Sequence, residues 1–349
     1  MKKRFWIFGA VVIIMVVTWF SGPRIPHPHY DAGLPHLPNQ LPALEDYVKL
    51  REAEQPVRKN NEARILWQNE VPKKTEFSIV YLHGFAGSWR DGYPVNVKIA
   101  DILGANIYLS RWAGHGLKPT AALKDFSSIT AWESAKEALV IGKKIGNKVI
   151  IMSTSTGGTL ALKLAATYPD SVYALINMSP NIEDEFDGSF LLNSPWGYEL
   201  AQLVSFGDER KIDHEEKAAP QYFDTVYPSN ALVDLQVLVG TTMNEKTYKK
   251  INCPVLTLFY YKNFLEEDKH VEVEEYPEVY EQLSTPEEFK KLVRLEEPKS
   301  HFMGSDIKSE NTGVVVDAIV DFLKTTLHLH LDEKKKSLDS ADPLIQRDQ

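Results

Sequence analysis

Apolar positions along the chain fall into two kinds of run. Short, β-branched stretches occupy 63–67, 77–82, 106–109, 148–152, 172–178, 254–260 and 292–295, and most of them end in Gly, Ser, Asn or Pro. Between them lie longer stretches with apolar residues three and four apart, at 99–103, 129–145, 160–165 and 312–327. The first kind predicts strands and the second predicts helices. Strands that alternate with helices predict a mostly parallel central sheet flanked by helices and joined by right-handed crossovers, an α/β domain. Its chemistry is then expected at the carboxyl ends of the strands.

The alternation stops after Asn181. From about 182 to 250 apolar pieces such as Phe190-Leu191-Leu192 are mixed with charged ones such as Asp208-Glu209-Arg210-Lys211. That is too long for a simple loop and predicts a mostly helical cap inserted over the sheet. The rest divides simply: a membrane anchor or signal segment over 1–22, a Pro-rich linker over 23–45, the α/β domain over 46–330 and a polar tail over 331–349. A further helix is expected from Ala43 to about Gln55, where Pro56 should end it.

The N-terminal segment opens with Lys2, Lys3 and Arg4, then carries no charge from Phe5 to Gly22. As a helix it rises about 27 Å, slightly short of a ~30 Å hydrocarbon core. Bulky Trp19 and Phe20, followed by Pro23 and Pro26, do not make a small-residue cleavage site. The expectation is therefore an uncleaved single anchor, its basic end cytoplasmic and the catalytic domain on the extracytoplasmic side. The linker's prolines favour an extended spacer, and its His27, His29 and His36 read as solvated. A formal charge of −9 leaves no basic stripe for nucleic acid. A single cysteine, Cys253, permits no internal disulfide.

The candidate chemistry centres on Ser153-Thr154-Ser155-Thr156-Gly157-Gly158, between the strand at 148–152 and the helix at 160–165. This is a variant of the G-x-S-x-G nucleophile elbow with Ser153 in place of the first Gly. Small residues are needed two before and two after the nucleophile because strand and helix cross closely there. A second Gly-rich turn, His83-Gly84-Phe85-Ala86-Gly87-Ser88, follows the strand at 77–82, where an acyl-transfer enzyme places half of an oxyanion hole. The N–H of Phe85 takes that role. His83, and His115 in the Ala113-Gly114-His115-Gly116 turn, read as structural.

A serine nucleophile needs a histidine base, and the base needs a carboxylate. His301 follows the last strand. His270 lies too close to the candidate acids to partner them. Glu266, Glu267 and Asp268 all lie in the loop after the strand at 254–260 and all remain open on spacing alone.

In this order the motifs resemble the α/β-hydrolase superfamily, in particular its serine esterase and monoacylglycerol-lipase-like members. The resemblance spans roughly residues 60–327. It implies Ser155 as nucleophile, His301 as base and Asp268 as acid, because Asp268-x-x-Val271 is similar to the family's acid turn. It also implies an oxyanion hole from the N–H groups of Phe85 and Thr156. The expected activity is cleavage of carboxylic esters, lipid-derived or other small-molecule acyl esters, without metal or cofactor. A thioesterase, amidase or peptidase would use the same groups, and a non-catalytic binding protein on the same scaffold is the other class.

Overall fold

Alternate residues of one strand face opposite ways, and both faces of the central strands here are buried. In the computed structural model, which describes residues 2–184 and 188–331, Ile151, Val80 and Leu82 join one apolar core while Ile150, Met152, Ile79 and Tyr81 join another on the far side of the sheet. Continuous apolar runs, rather than alternating ones, follow from this double burial.

The chain order is α1 (Lys2–Phe20), α2 (Leu41–Ala53), β1 (Arg64–Leu66), β2 (Thr75–Leu82), α3 (Val95–Leu103), β3 (Asn106–Leu109), α4 (Ser128–Ile145), β4 (Gly146–Thr154), α5 (Thr156–Thr167) and β5 (Ala174–Met178). After the inserted region come β8 (Val255–Asn263), β9 (Glu266–Glu267), α10 (Tyr276–Gln282), β10 (Lys290–Leu295) and α11 (Gly313–Asp321). The main sheet runs β1-β3-β2-β4-β5-β8-β10, with β9 paired on β8. β1 is antiparallel to β3, and every step from β3 to β10 is parallel. One core collects α4 and α5 against the sheet, and the other collects α3 and α11. The carboxyl ends of β2, β4, β8 and β10 therefore open on one edge.

The inserted region carries α6 (Gly197–Val204), β6 (Glu209–Lys211), α7 (Ala219–Tyr222), β7 (Val226–Pro228), α8 (Asn230–Thr242) and α9 (Glu245–Tyr248). Among the described residues it is mostly helical, with one antiparallel strand pair, β6–β7, which the sequence pattern does not predict. Its tie to the sheet domain is direct: the Asp224 N–H donates to the Ala86 carbonyl at 2.7 Å.

Two N-terminal expectations change. No helix among the described residues is long and apolar enough to cross a membrane. α1 begins with charged residues, and its apolar part, Phe5 to Phe20, rises only about 24 Å against a ~30 Å core. The single N-terminal anchor and the extracytoplasmic placement that depended on it are thus overturned. The end of α1 instead meets the inserted region, where Trp196 Nε1 donates to the Thr18 carbonyl at 3.1 Å. The Pro-rich stretch from 23 to 38 has no regular secondary structure and lies on the domain. Trp132 Nε1 donates to the Asp31 carbonyl at 2.7 Å, and Lys136 Nζ donates to the carbonyls of Asp31 and Gly33 at 3.1 and 2.8 Å. The tail from 332 onward lies outside the described residues.

Candidate active site

β4 delivers Thr154, and α5 starts at Thr156. Ser155 between them has φ 54° and ψ −124°, a conformation that L side chains rarely adopt. Three backbone bonds hold it there: its N–H donates to Met178 O at 3.1 Å, and its carbonyl accepts from Gly158 and Asn181 at 2.7 and 2.8 Å. The crossing leaves no room beside it. A Cβ on Gly157 would lie 2.0 Å from the Leu82 carbonyl oxygen, and one on Gly158 would lie 2.4 Å from Pro180 Cβ. Ser153 is accommodated because its hydroxyl turns sideways and donates to Asn177 Oδ1 at 2.8 Å.

The turn after β2 folds against this elbow. A Cβ on Gly84 would lie 3.1 Å from Ser155 Cβ and 3.5 Å from the Phe302 ring, so turn, elbow and histidine loop converge there. Thr156 opens α5, and its N–H has no intrahelical acceptor to use. His83 stacks on Trp112 with ring centroids 4.5 Å apart, and burial pushes it down to about 3. Burial also carries His115 well below its ordinary value. Both stay neutral and structural.

On the other side of the elbow, Asp268 Oδ2 and His301 Nδ1 are 2.7 Å apart, both side chains buried. The second carboxylate oxygen accepts the His270 N–H at 3.0 Å. Burial alone would raise the Asp268 carboxyl, but the charge and hydrogen bond of His301 outweigh it and leave it below the ordinary value. Glu266 and Glu267 pair instead with Lys262 and Lys269. His301 makes the Asp268 bond but, among the described residues, none to the Ser155 hydroxyl. Such contacts tighten when substrate binds.

Residues 78–231 match a family described as alpha/beta hydrolase fold. The chain has the α/β-hydrolase fold. One of the metagenome-derived lipolytic enzymes LipS and LipT superposes with a TM-score of 0.61 at 17% identity, over 77% of this chain and 99% of that one. A soluble variant of monoglyceride lipase from Saccharomyces cerevisiae gives 0.56 at 14% identity, over 78% and 92%. Protein bem46 of Schizosaccharomyces pombe is 27% identical over 51% of this chain. The match spans only 60% of that yeast protein.

Asp91 escaped the sequence, and two further groups border the site. Asp91 is fully buried behind the turn after β2. Its carboxylate accepts the Gly84 N–H at 2.6 Å and the Tyr81 hydroxyl, which also meets Thr154 Oγ1 at 2.8 Å. His270 stacks on His301 with centroids 4.7 Å apart and planes 19° apart, and burial, with the charge of His301, pushes it down to about 4. Asn181, just after β5, supplies an N–H to the Ser155 carbonyl and its amide to Asp184 Oδ1 at 2.7 Å. Two cavities adjoin the histidines. One of about 280 Å³ is lined by Asp268, His301 and Phe302, and one of about 430 Å³ runs under the inserted region from His270. Among the described residues no group of three or more His, Cys, Asp or Glu side chains is placed to hold a metal ion.

Proposed function

We propose that the protein is a serine hydrolase that cleaves carboxylic esters through an acyl-enzyme on Ser155. Ser155 Oγ attacks the ester carbonyl carbon and passes its proton to His301 Nε2. Asp268 holds the imidazole in the tautomer that leaves Nε2 free to accept, and steadies the cation that forms. The N–H groups of Phe85 and Thr156 hold the oxyanion as the tetrahedral intermediate forms and collapses. His301 then protonates the departing alcohol oxygen, and water hydrolyses the acyl-enzyme by the same steps in reverse.

The observation that carries this reading is the buried 2.7 Å contact between Asp268 and His301. Those two loops leave the ends of different strands, and a carboxylate fixing Nδ1 from within the protein has a clear use when the opposite nitrogen handles protons. The lipolytic names of the structural neighbours agree with an acyl ester as substrate.

Labelling with a fluorophosphonate probe tests it. The wild type should label and Ser155→Ala, folded by circular dichroism, should not. A folded wild type that resists the probe and fails to turn over p-nitrophenyl butyrate overturns the assignment.

A further inference from the structure

The cavity of about 430 Å³ is within the size range of small-ligand pockets. Its walls are mainly apolar: Leu192, Val204, Ile212, Leu232 and Leu235. One guanidinium lines it, that of Arg210 on β6, half-buried and with no ion pair or side-chain hydrogen bond among the described residues. A cation withdrawn partly from water and left unpaired is costly, and such groups are retained where an anion completes them.

Among the described residues, no free carboxylate in the cavity balances that charge. Asp184 also lines it, but its carboxylate is taken by the Asn181 amide at 2.7 Å, and burial pushes its ionisation upward. Lys269 adds a second positive group, already paired with Glu267 at 3.2 Å. His270, stacked on His301, forms the catalytic end of the cavity. The cavity is thus an apolar sleeve that starts beside the proposed catalytic histidine and is lined by an arginine with no partner among the described residues.

Building on the proposed hydrolase reading, we infer that this cavity takes the alcohol limb of an ester whose apolar chain ends in an anionic group, with Arg210 binding the anion. The side is set by the chemistry. His301 must hand its proton to the leaving oxygen, so the alcohol limb lies on the histidine's side, where His270 opens the cavity. The guanidinium fork receives two oxygens of a carboxylate or a phosphate in parallel, a geometry an ammonium does not match. Length matters as well, because the anion must reach Arg210 while the carbonyl sits at Ser155.

Esters of one acid isolate this limb. Butyrate release by the full chain would be followed for hexyl butyrate, 6-(butyryloxy)hexanoate and 6-(butyryloxy)hexyl phosphate, and for the four- and eight-carbon alcohols of each kind. The expected result is a kcat/KM at least tenfold higher for an anionic ester than for its neutral partner at one length, expressed mostly in KM. The carboxylate and phosphate arms tell which anion fits. In Arg210→Gln the anionic-to-neutral ratio should fall to near one, and Arg210→Lys should keep part of it. The ratio is internal to each protein, so a partial loss of fold cannot imitate the effect. Neutral esters turned over as well as anionic ones at all three lengths, or a ratio unmoved by Arg210→Gln, would overturn the inference while leaving the serine hydrolase intact. No turnover of any ester together with no fluorophosphonate labelling would instead overturn the hydrolase reading beneath it.

Discussion

The Asp91 carboxylate accepts the backbone N–H of Gly84 at 2.6 Å, in a site closed to solvent. Through the Tyr81 hydroxyl the same carboxylate reaches Thr154, the residue before the elbow serine. One side chain thereby ties together the turn and the elbow that supply the two proposed oxyanion donors. Burial raises its ionisation from 3.8 to about 7. The folded protein thus holds a proton there that the unfolded chain has lost. The stability linked to Asp91 is fully present below about pH 4 and is lost as pH rises through about 7. Asp91→Asn can still accept from Gly84 but does not titrate. The difference in melting temperature, Asn variant minus wild type, should become more positive from pH 5 to pH 8.5. A difference that is flat across that range would show that Asp91 does not carry this proton.

Gly157 faces backbone rather than a side-chain tip. Its Cβ would lie 2.0 Å from Leu82 O and 2.6 Å from His83 O. Neither can swing away without shifting β2 or the turn that follows it. Gly157→Ala should cost roughly 1–3 kcal/mol of stability and reduce ester turnover more than its stability loss explains, measured by urea unfolding and steady-state kinetics. Ser153→Gly is the control. It removes one buried hydrogen bond, worth about 1 kcal/mol, and should keep most of the activity.

Three carboxylates compete for one role in the loop after β8. Asp268→Asn should lower kcat by at least about 10³-fold, because an amide no longer fixes the tautomer of His301. Glu266→Gln and Glu267→Gln should stay within about threefold of wild type, since each faces a lysine on or beside the surface. Near-normal turnover in Asp268→Asn would move the acid elsewhere.

Lys136 is a fully buried cation on α4 that binds the Asp31 and Gly33 carbonyls. Its ammonium holds the Pro-rich strap against the domain. Lys136→Met fills the space but leaves the Gly33 carbonyl without its donor and the Asp31 carbonyl with that of Trp132 alone. We expect a loss of about 1–3 kcal/mol and faster cleavage by protease between 27 and 37, read by mass spectrometry of limited digests.

Most of the sheet could be read from the chain because strands buried on both faces need unbroken apolar runs. Asn106–Leu109 was placed without error, and β4, β5 and β8 to within a few residues. The elbow and the turn at Gly84 were legible because tight crossings admit only small residues. What stayed hidden depends on neighbours distant in sequence. Asp91 looks like any polar loop residue until Tyr81 and Gly84 are seen around it. The strap looks like a solvated spacer in sequence because its docking uses backbone carbonyls, which no side-chain pattern encodes. The β6–β7 strand pair carries Glu-Arg-Lys and Val-Tyr-Pro, too short for a period to register. The apolarity of the N-terminal run suggests a membrane span, but its uncharged helical part is too short for one.

The backbone of Ser155, at φ 54° and ψ −124°, sets stability against reactivity at one residue. Holding a non-glycine residue in such a region costs of order 1–3 kcal/mol. Ser155→Gly removes most of that cost, partly offset by the ~0.5–1 kcal/mol that glycine adds through its freer unfolded chain. The glycine variant should therefore melt above both the wild type and Ser155→Ala while lacking any nucleophile. The most stable form of this fold is an inert one, and the serine persists at the elbow against the conformational preference of its own backbone.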